Sequence, residues 1–217
     1  MLTRVLTIPV LVIALAGTGA GTAVAQTDTG VYGPAAPENA GFVRVLHADP
    51  TRETLELPVG PRRFGPLSFG EVSPYRPFSA GISLLRSGGA QAELIVRPDS
   101  YTTVIVAAGR INTVADTRHA DPARAQIVFY NAAGGPSADL LVAPDGPPVF
   151  EGVAAGESAA RAVNAVPVDL EVRRRDSQVA GIDELRLTRG DSFGIFLLDG
   201  ADGAVVRVHR AEVVLDE

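Results

Sequence analysis

The sequence predicts an all-β fold, with two tandem antiparallel β-sandwich domains behind a cleaved signal peptide. Three observations carry this. Apolar, β-branched segments recur about every 10 to 15 residues, each closed by Gly, Pro, Asp or Ser. Helical periodicity is scarce. The second half of the chain returns the segments of the first half in the same order.

Taken in order, Met1–Arg4 carries one positive charge, and Val5–Ala16 is an apolar run broken only by Thr7 and Pro9. Ala23-Val24-Ala25 then supplies small residues at a cleavage site, so residues 1–25 read as a signal peptide and Gln26 as the mature N-terminus. The apolar run falls short of the roughly 20 residues needed to span a bilayer. Residues 26–40 hold Gly30, Gly33, Pro34 and Pro37 and read as an extended arm. Strands are expected at Phe42–Leu46, Thr54–Leu57, Gly81–Leu85, Ala92–Val96 and Tyr101–Val106.

The repeat places Val43, Val45, Leu46 and Ala48 on Ile127, Phe129, Tyr130 and Ala132. Leu55 and Leu57 fall on Leu140 and Val142, Phe69–Val72 on Phe150–Val153, and Ile82 and Leu84 on Val168 and Leu170. Its closest match sets Arg97-Pro98-Asp99-Ser100-Tyr101 against Arg189-Gly190-Asp191-Ser192-Phe193. Residues 41–116 and 125–217 are therefore expected as the first and second sandwich, with 117–124 as linker. The Ala-rich stretch Ala154–Val166 suggests one short helix, and Ala204–Leu215 a last strand.

Composition removes several chemistries. The chain has no Cys and no Lys among its 217 residues, which excludes thiol catalysis, disulfides, Schiff-base chemistry and P-loops. Without the leader, 18 Arg stand against 25 acidic residues, a net −7 that disfavours nucleic acid as a partner. The charge is uneven: residues 42–110 carry a net +2 and residues 126–200 a net −5.

Gly190-Asp191-Ser192 is similar to the nucleophile turn of SGNH-type esterases and acetyltransferases. That chemistry needs a His set by an Asp three residues before it, but Val206 precedes His209 by three. A strand-initiating turn accounts for the motif better, and no catalytic residue is assigned. His47, His119 and His209 are too scattered for a metal site, and no cofactor motif occurs. Arg62, Arg63 and Arg76 lie in Pro-rich loops near Tyr75. Guanidiniums pair bidentately with carboxylates, so these four residues are the candidate contacts for an anionic polysaccharide, with Tyr75 as an exposed aromatic.

Val31-Tyr32-Gly33-Pro34-Ala35-Ala36-Pro37, followed by Gly41-Phe42-Val43-Arg44-Val45-Leu46, resembles the start of the mature AlgF family of alginate biosynthesis accessory proteins. Length, the two-sandwich layout and Ile127-Val128-Phe129-Tyr130-Asn131-Ala132 are similar too. The resemblance implies a periplasmic, non-catalytic adaptor required for O-acetylation of alginate. It would work beside periplasmic SGNH-type O-acetyltransferases and a membrane-bound O-acyltransferase. For such an adaptor, the arm with Tyr32, Pro34 and Pro37 and one sandwich are expected to dock on these partners. Two alternatives stay open. Arg44-Val45-Leu46-His47-Ala48-Asp49-Pro50 is also similar to the opening of bacterial cell-surface sandwich repeats, which would make the chain an interaction or adhesion module. The other is an esterase or acetyltransferase using Ser192.

Overall fold

The structure is a computed structural model that describes residues 38–175 and 177–215. The expected signal peptide, and Tyr32, Pro34 and Pro37 of the expected docking arm, lie outside the described residues. Among the described residues there is no helix.

The first half holds β1 (Ala40–Ala48), β2 (Thr54–Val59), β3 (Arg62–Ser68), β4 (Arg76–Ser79), β5 (Gly81–Ser87), β6 (Ala90–Val96), β7 (Tyr101–Ala107) and β8 (Arg110–Asp116). The second half answers with β9 (Ala125–Asn131), β10 (Ala138–Val142), β11 (Pro148–Val153) and β12 (Ser158–Val163). It closes with β13 (Pro167–Arg174), β14 (Ser177–Arg186), β15 (Ser192–Gly200) and β16 (Gly203–Arg210). Sheet order β4-β1-β7-β8 recurs as β12-β9-β15-β16. Hairpins β2-β3 and β5-β6 recur as the joined sheet β11-β10-β13-β14. The repeat extends to irregularities, because a β-bulge falls between Leu55 and Leu57 and again between Ala138 and Leu140.

Strand pairing is antiparallel except at the centre of each half, where β1 runs parallel to β7 and β9 parallel to β15. Parallel neighbours require a long crossover, and the intervening strands of each half provide it. These central strands are buried on both faces, so they read as nearly unbroken apolar runs. On β1, Val43 and Val45 enter the first core with Leu55, Phe64 and Leu94, while Leu46 and Ala48 point the opposite way. On β9, Ile127 and Phe129 enter the second core, while Val128 and Tyr130 point opposite. The opposite faces meet. Leu46, Ile105, Val128, Tyr130, Phe196 and Leu198 form a third core in which the β4-β1-β7-β8 and β12-β9-β15-β16 sheets pack back to back. Each such side chain contributes about 1.5–3 kcal/mol by burial, so this seam is a substantial part of the fold.

Several expectations change. Ala154–Val166 forms no helix; β12 pairs with β9 from Ser158↔Tyr130 to Val163↔Ala125, and burial of Ala159, Ala160 and Val163 outweighs alanine's helix preference. Ile82 and Leu84 do not match the buried Leu170, because Leu85 is the inward residue and both neighbours face out. Leu55 and Leu57 match Ala138 and Leu140 by their bulge, rather than Leu140 and Val142.

Phe69–Val72 does not fall on Phe150–Val153. Gly70 donates to His47 O at 2.7 Å as Gly156 donates to Asn131 O at 2.7 Å, which makes Gly70-Glu71 the counterpart of Gly156-Glu157. Both glycines have φ above +80°, a turn conformation that disfavours side chains.

The closest sequence match is also one residue out of register. Phe42 N donates to Ser100 O at 2.7 Å, and Gln126 N donates to Asp191 O at 2.9 Å, so Ser100 stands where Asp191 does. Tyr101 therefore corresponds to Ser192, and the buried place of Phe193 is taken by Thr102. A slip of one residue exchanges the faces of a strand, so the recurring R-x-D-S spelling misleads about which aromatic is core.

Candidate functional site

Arg44 sits in the middle of β1 between two core valines and points into the seam, where only 3% of its surface is exposed. Its Nε donates to Thr103 Oγ1 at 2.9 Å and its Nη2 to Tyr130 Oη at 2.8 Å. The guanidinium also lies 4.4 Å from the centre of the Tyr75 ring and 5.4 Å from that of Phe196, within cation–π range. Tyr130 and Phe196 stack at 4.4 Å. Gly194 makes room for this packing, since a Cβ there would fall 2.7 Å from the Phe196 ring.

The counter-charge is Asp116, at the end of β8. Its Oδ1 accepts from Tyr130 Oη at 2.6 Å, and its Oδ2 accepts from Tyr75 Oη at 2.8 Å and Thr103 Oγ1 at 2.6 Å. Hydroxyls thus relay the cation to the anion, with Tyr130 and Thr103 each accepting from Arg44 and donating to Asp116. Burial opposes the charge on Arg44, but Tyr130, Tyr75 and Asp116 outweigh it and raise its pKa. Burial also pushes the Tyr75 and Tyr130 hydroxyls far up, so both act as neutral donors. Arg44, Thr103, Tyr75 and Asp116 come from the first half and Tyr130 from the second. The network therefore fixes one sandwich against the other.

Above it opens a cavity of about 150 Å³, into which Asp116, His119, Gln126 and Ser192 face. These residues include the three types of a hydrolase triad, but their contacts differ from one. Ser192 Oγ donates to Gln126 Oε1 at 2.8 Å, and His119 Nε2 bonds Arg124 O at 3.0 Å. The Asp116 carboxylate is engaged by three hydroxyls. His209, the other histidine considered for Ser192, donates from Nε2 to Gly70 O at 2.9 Å, and burial lowers its pKa. No hydrogen bond joins Ser192 to a histidine among the described residues. No group of three or more His, Asp or Glu among them could hold a metal ion.

Three of the four residues expected to contact a polymer come together, though on strands rather than in Pro-rich loops. Arg62 and Arg63 open β3, and Arg76 opens β4. Phe64 and Phe78 stack at 5.8 Å, with Arg76 5.4 Å from the Phe64 ring centre and Arg62 5.6 Å from that of Phe78. Arg76 donates to Arg63 O at 3.3 Å, and exposed Arg63 pairs with Glu56 at 2.8 Å. Tyr75 is not the exposed aromatic that the sequence suggested. It is 5% exposed, because its ring turns under Arg44 and its hydroxyl onto Asp116.

No motif or spacing in the sequence marks Arg44, Asp116, Tyr130 and Phe196 as a site. One signal was present: a single arginine inside the unbroken run Phe42-Val43-Arg44-Val45-Leu46, which must find a partner if both faces are covered.

A family model described as "Alginate O-acetyl transferase AlgF" matches residues 12–193. Alginate biosynthesis protein AlgF of Pseudomonas aeruginosa (strain PAO1) is 25% identical over 192 residues, covering 88% of this chain and 87% of that protein. The protein of that name from Pseudomonas putida (strain KT2440) is 23% identical over 176 residues, covering 81% and 80%. Among solved structures, the C-terminal domain of AlgF from P. aeruginosa aligns with a TM-score of 0.37 at 20% identity, covering 41% of this chain and 98% of that domain.

Proposed function

The chain belongs to the AlgF family, and from that membership we propose that it acts in the O-acetylation of alginate as a periplasmic adaptor without catalytic groups of its own. In this reading it bridges periplasmic SGNH-type O-acetyltransferases and a membrane-bound O-acyltransferase. Residues 41–116 and 125–217 serve as its two domains, and the arm with Tyr32, Pro34 and Pro37 as a docking segment. The observation that supports a non-catalytic role most directly is the seam cavity, where Ser192, His119 and Asp116 are each bonded to groups that cannot activate a nucleophile. Any direct contact with the anionic polymer belongs to Arg62, Arg63 and Arg76, in the half of net positive charge.

A catalytic reading is favoured by the family's description as a transferase, and one experiment separates the two. Deleting the gene is expected to abolish acetyl esters on the secreted polymer, and a Ser192→Ala copy is expected to restore them to the wild-type level. A deletion strain that still acetylates its polymer would sink the adaptor role. Failure of the Ser192→Ala copy, with the protein present at normal abundance, would make Ser192 a nucleophile instead.

A further inference from the structure

The outer face of the β5-β6 hairpin carries large aliphatic side chains in the open. Ile82 is 70% exposed, Leu84 51% and Ile95 45%, whereas Leu85 and Leu94 fill the core beneath them. Ile82 stands directly opposite Ile95 across the ladder, and Leu84 lies two residues along on the same face, so the three form one patch. The internal repeat supplies a comparison. On β13, the corresponding strand, the residues alternating with Leu170 and Val172 are exposed Asp169, half-buried Arg173 and, between them, Glu171, which is buried and paired with Arg173. The same architecture thus accommodates charge on this face in one half and presents isoleucine and leucine in the other. Contiguous exposed aliphatics of this kind mark interaction surfaces.

The border narrows the partner. Arg86 and Arg97, on the same outward rows, are exposed, and their guanidiniums make no hydrogen bond or ion pair among the described residues. Glu93, opposite Leu84, is the one carboxylate of the hairpin face, and on β2, the strand beside β5, Glu56 is already paired with Arg63 of β3. On the outward rows of the hairpin and the residue that follows β6, Arg86 and Arg97 against Glu93 leave a net charge of +1. An anionic polysaccharide would suit the guanidiniums but gain little from the isoleucines, whereas an aliphatic protein surface rimmed with carboxylates satisfies both.

We propose that the Ile82/Leu84/Ile95 face of the β5-β6 hairpin docks a protein partner whose contact surface is aliphatic at its centre and acidic at its edge. This rests on the adaptor reading and makes that partner the soluble O-acetyltransferase of the same acetylation system.

The test uses the full mature protein and the purified soluble O-acetyltransferase of the same bacterium. A variant carrying Ile82→Asp and Ile95→Asp is expected to bind at least about tenfold more weakly than wild type by calorimetry, with an unchanged melting temperature because both residues are exposed. Val166→Asp, at an exposed residue of the second half, is expected to bind normally. Arg86→Glu with Arg97→Glu is expected to weaken binding and reduce its salt dependence. Equal affinity of wild type and the Ile82/Ile95 variant would overturn the surface while leaving the adaptor role intact. So would a variant that loses only self-association or only binding of oligouronate. No detectable binding by wild type, in a strain whose polymer acetylation survives deletion, would remove the adaptor role and this surface with it.

Discussion

Asp116→Ala is expected to lower the free energy of unfolding by about 3 kcal/mol, within the 3–5 kcal/mol typical when one member of a buried charge pair is removed. The substitution takes the acceptor from Tyr75, Tyr130 and Thr103 together and leaves Arg44 charged in a site where 3% of it is exposed. Arginine cannot escape by losing its proton, so the cost falls on the fold. The lower end of the range applies because Asp116 faces a cavity of about 150 Å³, which admits water to part of the orphaned network. Denaturant titration measures the change. The double variant Arg44→Met with Asp116→Ala separates network from packing. It should lose less than the sum of its single variants, by more than about 1 kcal/mol. Additive losses would mean that the two charges do not act through the shared hydroxyls.

Phe196→Ala is expected to cost about 3–5 kcal/mol, the range for deleting a fully buried phenylalanine. Phe196 is 0% exposed and touches both sides of the seam, stacking on Tyr130 within its own half and lying beneath Arg44 of the other. His209 meets the same ring edge-on at 6.0 Å, so truncation also opens a void beside a histidine that bonds Gly70 of the first half. The loss should appear in melting and in denaturant titration alike. A loss under about 1 kcal/mol would show that the two sheets can re-close over the gap, and that the seam is softer than its packing implies.

Much of this architecture was legible in the sequence, and most of the mismatches are errors of register. Short β-branched segments between turn residues gave the strand-rich class, and the repeat gave two equivalent halves, because both signals survive small misalignments. Register did not. Matching Tyr101 to Phe193, or Leu84 to Leu170, is a slip of one residue, yet it exchanges core for surface at every position of a strand. The seam was hidden for a related reason. Alternation reports a strand with one wet face, whereas β1, β7, β9 and β15 have none, and their unbroken apolar runs carry no mark of which residues meet the other half. Arg44 was visible as an oddity, but Asp116 and Tyr130 lie 72 and 86 positions further along the chain, at separations that only the tertiary fold brings together.

The Pro-rich neighbourhood of Arg62, Arg63 and Arg76 misled in a different way. Their strands carry Pro66 and Pro77, and proline lowers strand expectation unless it falls where no ladder donor is needed. The cluster of guanidiniums on phenylalanine rings follows from β3 and β4 bringing Phe64 and Phe78 into contact, which spacing alone does not reveal. Conversely, the similarity of Gly190-Asp191-Ser192 to a nucleophile turn weakened once its surroundings were seen, since Ser192 donates to a glutamine.

A shared third core and the Arg44–Asp116 relay make the two halves one body. Native-state hydrogen exchange tests it most directly through two amides, Val104 at the centre of β7 and Ile195 at the centre of β15. The two amides should exchange with the same opening free energy and the same denaturant dependence, because neither half unfolds while the other stands. Distinct free energies, with the smaller dependence belonging to one half alone, would contradict a single body and leave two independent sandwiches joined by residues 117–124.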